Sequence, residues 1–283
     1  MIEKYGMKHC KGMILYGPPG TGKTLIARKI AQVLNCHEPK VVNGPQIFDK
    51  MVGGSEKNIR DLFAEAEADQ ATNGDESELH VIIFDEIDAI CRKRGSTNSG
   101  TGVNESVVNQ LLSKIDGVES LDNILIIGMT NRLDMIDEAL LRPGRFEIHL
   151  EIGLPDEAGR KQIFSIHTAK MKKNDLLEPD VDINELAQVT KNYTGAEIEA
   201  VCRSANSFAL FNEDQVAQSV NQDRKDKKGV EKLGERKTCM KDFIRALDEV
   251  KPAFGVDGKQ LENCVRGGLH LYGSQMTELY STC

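Results

Sequence analysis

Hydrophobic residues in the first half of the chain fall into short runs that are separated by helical patterns. The strand-like runs cover residues 13–16, 40–43, 81–85, 124–130 and 146–152. Between them, apolar residues recur at helical spacing, as in residues 58–70 and 103–115. Short apolar strands that alternate with helices favour a parallel sheet covered by helices on both faces. We therefore expect an α/β domain over residues 1–154.

The second half of the chain has a helical pattern that begins after the turn-forming residues 153–156. The helical segments cover residues 157–170, 183–190, 195–212 and 240–250. Asp182 and Thr194 directly precede the second and third segments, where short polar side chains can cap a helix. These patterns predict a small all-α domain over residues 155–251.

Two stretches of the second half lack this helical pattern. Residues 212–238 are crowded with charged and amide side chains, so we expect an exposed, partly disordered insertion there. Residues 252–283 contain several glycines without clear periodicity and are predicted to form a linker-like tail.

Composition and charge narrow the class of protein. The formal net charge of −8 disfavours non-specific binding to nucleic acid, so we expect no nucleic-acid partner. No apolar run approaches the length of about 20 residues that a membrane helix needs, so direct membrane insertion is not expected. The seven cysteines form no Cys-x-x-Cys motif, which favours free thiols in the cytoplasm over a zinc site.

A glycine-rich segment, Gly-Pro-Pro-Gly-Thr-Gly-Lys-Thr, follows the first predicted strand and precedes a helical pattern. Its glycines let the backbone curl and direct N–H groups inward, and the following helix N-terminus favours anions. Lys23 can reach outer phosphates, and Thr24 offers a hydroxyl to Mg²⁺. The alternative, a glycine-rich turn without a ligand, is disfavoured by the strand before it and the helix after it.

Polar side chains at the ends of two other predicted strands suggest hydrolytic chemistry. Asp85 and Glu86 end the strand at residues 81–85, where an Asp can hold Mg²⁺ and a second carboxylate can act as a general base. Asn131 follows the strand at residues 124–130, at the edge where open α/β sheets bind ligands. Taken alone, Asn131 is equally consistent with a turn-forming residue.

Arg142 and Arg145 lie one turn apart around a Pro-Gly pair. Arginines at the end of a helix usually interact with the helix dipole, and position alone favours this interpretation. The alternative is a pair of arginine fingers that act on phosphate in a neighbouring subunit.

Together, these residues resemble the AAA+ ATPases. Residues 17–24 match the Walker A motif, residues 82–86 match Walker B, and Asn131 matches sensor 1. Arg142 and Arg145 match the two arginines of the second region of homology. The resemblance implies a P-loop fold with a five-stranded parallel sheet, a helical lid and a homo-hexameric ring.

The resemblance also implies roles for individual residues. The implied nucleotide-binding residues are Pro19, Gly20, Thr21, Gly22, Lys23, Thr24, Leu25 and, in the lid, His167, Gly195 and Ala196. Thr24 and Asp85 would hold Mg²⁺ beside ATP. Glu86 would activate water and Asn131 would position it. Arg142 and Arg145 would act on the ATP of the adjacent subunit.

Within the family, residues 83–91, 108–118 and 127–132 resemble the first ATPase module of vesicle-fusing, N-ethylmaleimide-sensitive ATPases. This resemblance covers roughly residues 8–255 and implies SNARE complex disassembly together with a SNAP adaptor, in a cytoplasmic protein that reaches membranes through its partners. We expect the chain to be a fragment without the adaptor-binding domain and the second ATPase module. Met51 stands where the expected pore loop usually has an aromatic residue, and Thr21 stands where some members have Cys.

Two alternative functions stay open at this stage. A segregase of the valosin-containing type would share every catalytic motif and differ in its adaptors. A nucleotide-binding assembly module without turnover would share the phosphate-binding loop, although Glu86 argues against it.

Overall fold

The structure is a computed structural model, and its described residues divide between two units. It describes residues 9–34, 36, 38–48, 54–93, 101–116, 121–210 and 237–254. The first unit is Met1–Gly153 and the second is Leu154–Cys283.

A parallel five-stranded sheet forms the centre of the first unit. Its strands are β1 (Gly12–Tyr16), β2 (Lys40–Asn43), β3 (His80–Asp85), β4 (Ile124–Thr130) and β5 (Phe146–Glu151). Their order across the sheet is β2-β3-β4-β1-β5. The predicted α/β fold with a parallel sheet is confirmed, and each strand begins and ends within one residue of its predicted bounds. This order places β1, β3 and β4 in the middle of the sheet.

Helices cover both faces of this sheet. They are α1 (Lys23–Val33), α2 (Gly44–Phe48), α3 (Gly54–Asn73), α4 (Ile87–Ile90) and α5 (Thr101–Asp116). One face buries Ile14, Phe84 and Ile126 in a cluster with Phe63 of α3 and Leu111 of α5. The other face buries apolar residues of β1, β3 and β4 together with the small residues Ala27 and Ala31 of α1. Because both faces are buried, the central strands are continuously apolar rather than alternating.

The described residues of the second unit form four helices, as the sequence predicts. They are α6 (Glu157–Lys173), α7 (Ile183–Val189), α8 (Gly195–Leu210) and α9 (Met240–Glu249). Asp182 caps α7, because its side chain accepts a hydrogen bond from the N–H of Asn184 at 2.8 Å. The Thr194 hydroxyl accepts the N–H of Glu197 at 3.3 Å, and the Glu197 carboxylate accepts the Thr194 N–H at 2.7 Å. Both predicted caps are therefore confirmed.

Several predicted features lie largely outside the described residues. They are the expected pore segment with Met51, residues 211–236 of the predicted insertion, and residues 255–283 of the predicted tail. Thr238, the last residue of the predicted insertion, is only 3% exposed. Its N–H donates to the carbonyl of Leu176 at 2.8 Å, which ties this end of the segment to the chain after α6.

None of the helices in the described ranges has the length and apolar composition to cross a membrane. The longest, α3, has 20 residues. Its sequence carries several carboxylates, among them Glu65, Glu67 and Asp69.

Candidate functional site

The carboxyl ends of β1, β3 and β4 meet at one edge of the sheet. Tyr16 at the end of β1 lies opposite Thr130 at the end of β4. Phe84 of β3 lies opposite Gly128 of β4. Since the strands are parallel, this edge brings together the glycine-rich loop, the acidic pair after β3, and the residue after β4. Open α/β sheets bind ligands at such an edge.

The backbone of the glycine-rich loop requires glycine at its two ends. Gly17 has φ 143°, and a Cβ at this position would lie 2.2 Å from the carbonyl oxygen of Ile152. Gly22 is the N-cap of α1 and has the left-handed φ of 88°, which strains any residue with a side chain. The loop therefore curls back and leads directly into the N-terminus of α1, where anions are favoured.

Lys23 lies inside this loop. Lys23 is only 8% exposed. Its Nζ donates to the carbonyls of Gly17 at 2.9 Å and Pro18 at 2.7 Å. Thr21 donates its hydroxyl to the same Pro18 carbonyl at 2.9 Å. Burial lowers the pKa of Lys23, and the nearby Asp85 carboxylate opposes this shift. The ammonium group of Lys23 is thus held by two backbone carbonyls of the loop.

Two oxygen donors beside the loop suit a magnesium ion. The Thr24 hydroxyl donates to Oδ2 of Asp85 at 3.2 Å, and Oδ1 of Asp85 accepts the N–H of Glu86 at 3.0 Å. Among the described residues, no group of three or more His, Cys, Asp or Glu side chains could hold a metal ion. Mg²⁺ is commonly bound by one or two protein oxygens together with water and substrate phosphates. The donor set therefore fits Mg²⁺ carried with a phosphate ligand.

Glu86 adopts an unusual backbone conformation. It has φ 53° and ψ 49°, the left-handed region that non-glycine residues rarely occupy. Its side chain is exposed, and its carbonyl accepts the N–H of Ala89 at 2.9 Å. A Cβ on Gly44 would lie 2.4 Å from that same carbonyl oxygen. Gly44 therefore makes room for the Glu86 backbone, a role that sequence reasoning missed because the two residues are far apart in the chain.

Asn131 is exposed at the end of β4, and its neighbour Thr130 is buried. The Thr130 hydroxyl donates to Oδ1 of Asp88 at 2.7 Å and accepts the N–H of Arg132 at 2.9 Å. Thr130 and Asp88 were not predicted as site residues. The acidic run after β3 gave a weak signal for Asp88, but nothing local linked it to Thr130.

The two arginines differ in their surroundings. Arg142 is exposed. Arg145 donates through Nη2 and Nε to Oδ2 of Asp116 at 2.9 and 3.1 Å, and through Nη1 to the carbonyl of Ala139. Its guanidinium is therefore held by the end of α5 in its own subunit. The role of both arginines toward a neighbouring subunit stays a prediction.

The remaining predicted nucleotide-binding residues are accessible to different degrees. Pro19 and Gly20 are exposed in the loop, and Leu25 of α1 is 71% exposed. In the second unit, His167 is half-buried on α6, while Gly195 is the first residue of α8 and Ala196 is exposed beside it. Contact of these residues with nucleotide stays a prediction.

Comparison with protein families gives two matches. Residues 13–154 match the family described as "ATPase family associated with various cellular activities (AAA)". Residues 180–223 match the "AAA+ lid domain". The first match includes the whole edge of the sheet described above, and the second includes α7 and α8.

Individual relatives are similar over nearly the whole chain. The chain is 55% identical over 279 residues to "Vesicular-fusion protein sec18" of Schizosaccharomyces pombe, and the matched region covers 99% of this chain and 34% of that protein. It is 56% identical over 283 residues to "Vesicle-fusing ATPase" of Arabidopsis thaliana, which covers 99% of this chain and 37% of that protein. A "Vesicle-fusing ATPase" of Dictyostelium discoideum is also 56% identical, over 280 residues. The chain thus spans about a third of the length of these relatives.

Proposed function

Because the chain belongs to the AAA family of ATPases, we propose that it binds ATP with Mg²⁺ and hydrolyses it to ADP and phosphate. One observation carries this proposal. The buried ammonium of Lys23 and the paired oxygens of Thr24 and Asp85 lie at the same edge of the sheet. A loop of backbone amides, a fixed cation and two oxygen donors suit a polyphosphate bound with a divalent cation.

The residues at this edge have different roles in the proposed reaction. Lys23 and the loop amides bind the phosphates, and Thr24 and Asp85 hold the metal. Mg²⁺ bound there would neutralise charge on the phosphates. Glu86 is exposed directly after Asp85 and takes a proton from the attacking water as a general base. The Asn131 amide orients that water without adding charge.

We further propose that the active form is a homo-hexamer in which Arg142 and Arg145 act on the ATP of the adjacent subunit. Arg142 is exposed and available to a second copy of the chain. Arg145 is bound to Asp116. Its guanidinium therefore either contacts the neighbour's phosphate while it stays bound to Asp116, or releases Asp116 to bind the phosphate. Arginine fingers typically contribute about 10³–10⁵ in rate.

The relatives point to the use of this activity. They are named as vesicle-fusing proteins, and they match the chain at 55–56% identity. We propose that this module belongs to a longer protein that disassembles SNARE complexes with a SNAP adaptor and reaches membranes through these partners.

ATP turnover by the chain tests the enzymatic part of the proposal. The mass of the protein is first measured in the presence of ATP to establish that it is oligomeric. We expect this oligomeric protein to release phosphate from ATP in the presence of Mg²⁺ and to lose that activity when Mg²⁺ is chelated. Binding of ATP without turnover would favour a non-hydrolysing assembly module. In the full-length protein, turnover that is stimulated by ubiquitin-linked clients but not by SNAP–SNARE complexes would favour a segregase.

A further inference from the structure

A buried hydroxyl links the ends of two central strands. Thr130, the last residue of β4, is 2% exposed. It donates to the Asp88 carboxylate at 2.7 Å and accepts the N–H of Arg132 at 2.9 Å. The second bond spans Asn131, so it fixes the local turn that carries the Asn131 side chain.

The Asp88 end of this link lies next to the proposed general base. Asp88 belongs to α4, which starts at Ile87, directly after Glu86. This helix has only four residues, and so short a helix has little stability of its own. Its position depends on contacts with the sheet. Ile87 is fully buried and lies so close to β4 that a Cβ on Gly128 would be 3.0 Å from its Cδ1.

We propose that the Thr130–Asp88 hydrogen bond positions Asn131 relative to Glu86 for ATP hydrolysis. This inference rests on the proposed function, in which these two residues act on the attacking water. The bond joins the residue before Asn131 to the second residue after Glu86. A hydrogen bond to a charged carboxylate is stronger than one between neutral groups, which makes it an effective tie. Thr130 and Asp88 are positioning residues, because neither belongs to the groups proposed to contact ATP or water.

A purely structural bond would behave differently from a positioning bond. Loss of a structural bond lowers the melting temperature and leaves the rate of the folded protein unchanged. Loss of a positioning bond lowers kcat while ATP binding, which depends on the loop at residues 17–24, is retained. Measuring the melting temperature, kcat and the Kd for ATP of the same variant therefore distinguishes a structural bond from a positioning bond.

The test compares two substitutions of Thr130 in the full chain. Thr130→Val keeps the shape and removes the hydroxyl, and Thr130→Ser keeps the hydroxyl. We expect Thr130→Val to lower kcat by tenfold or more, with the Kd for ATP within about twofold of wild type, since misplacement by about 1 Å can cost about 10²-fold in rate. Thr130→Ser should recover most of the lost rate. Thr190→Val is the matched control, because its fully buried hydroxyl donates to the Leu186 carbonyl at 2.8 Å within the second unit.

Asp88 supplies a second test from the other end of the bond. Asp88→Ala should reproduce the loss of kcat, and Asp88→Asn, which keeps an acceptor oxygen, should lose less. The double variant of Thr130→Val and Asp88→Ala should be no slower than the slower single variant, because residues that share one interaction are not additive.

The possible results distinguish failure of this inference from failure of the proposed function. A Thr130→Val protein with wild-type kcat overturns the inference, as does a Thr130→Ser protein that is as slow as Thr130→Val. Fully additive losses in the double variant overturn it too. If the wild-type chain binds ATP and does not hydrolyse it, the proposed function fails, and the inference fails with it.

Discussion

Adding one methyl group at Gly44 should slow hydrolysis without weakening ATP binding. Gly44 is buried at the start of α2, directly after β2. In Gly44→Ala, the new Cβ would lie 2.4 Å from the Glu86 carbonyl oxygen and 3.2 Å from the Ala89 Cβ. Neither side can easily withdraw, because Asn43 before Gly44 is paired in the sheet with Asp85 before Glu86. The collision therefore falls on the left-handed backbone of Glu86.

The size of the effect follows from this distance. Ordinary van der Waals contacts begin at 3.4 Å, so the Glu86 backbone must move by about 1 Å to accept the methyl group. Displacing a reacting group by about 1 Å can cost about 10²-fold in rate. That loss corresponds to about 2.7 kcal/mol in the activation barrier. The three atoms nearest to the new methyl group are the carbonyl oxygens of Glu86 and Asp85 and the Ala89 Cβ, and none of them belongs to Lys23, Thr24 or the loop, so the Kd for ATP should stay within a few-fold of wild type.

Single-turnover hydrolysis of bound ATP, measured by rapid quench, gives the rate of the chemical step directly. Titration with a fluorescent ATP analogue gives the affinity, and thermal unfolding shows whether the variant is folded. Gly153→Ala is the matched control, because a Cβ there would meet no heavy atom within 4 Å. A folded Gly44→Ala protein that hydrolyses ATP at the wild-type rate would refute the argument that Gly44 sets the position of Glu86.

Three further substitutions and one labelling experiment test the site. Lys23→Ala should abolish tight ATP binding, because the loop loses its buried ammonium; wild-type affinity in a nucleotide titration would contradict this. Glu86→Gln should bind ATP and release phosphate very slowly, and near-normal turnover would assign the general base elsewhere. Arg145→Ala should bind ATP and hydrolyse it poorly, and mixing it with Glu86→Gln protein should restore part of the activity; full activity of a dilute Arg145→Ala monomer would exclude a role between subunits. Cys91 should resist maleimide in the folded protein and react after denaturation, because complete burial raises the pKa of its thiol; mass spectrometry of labelled peptides would reveal early labelling.

The strands and long helices could be predicted from sequence because each carries its own local pattern. Residues 124–129 contain no polar side chain, and the structure buries them together with Thr130 in β4. Asp182 stands directly before an apolar helical pattern, so its capping role needs no information from elsewhere in the chain. By contrast, α2 and α4 have five and four residues, too few to show a helical period.

Contacts between distant residues could not be predicted in the same way. The loop at residues 17–24 was recognisable because its chemistry lies in consecutive residues. Asp116 and Arg145 are 29 residues apart, and Thr130 and Asp88 are 42 residues apart. Only the fold brings these pairs together. The sequence therefore predicted the reactive and binding residues of the candidate site, but not Asp88 and Asp116, the residues that bind Thr130 and Arg145.

The conformation of Glu86 shows why these supporting contacts are concentrated here. A non-glycine residue in a sparsely populated backbone region costs about 1–3 kcal/mol, and it persists only when its surroundings fix it. Three features do so: Asp85 accepts the Glu86 N–H, Ala89 donates to the Glu86 carbonyl, and Gly44 leaves space for that carbonyl. The same turn thereby ties the carboxylate proposed to hold the metal to the residue proposed to activate water. Because Asp85 also accepts from the Thr24 hydroxyl, its single carboxylate contacts both the start of α1 and the Glu86 backbone.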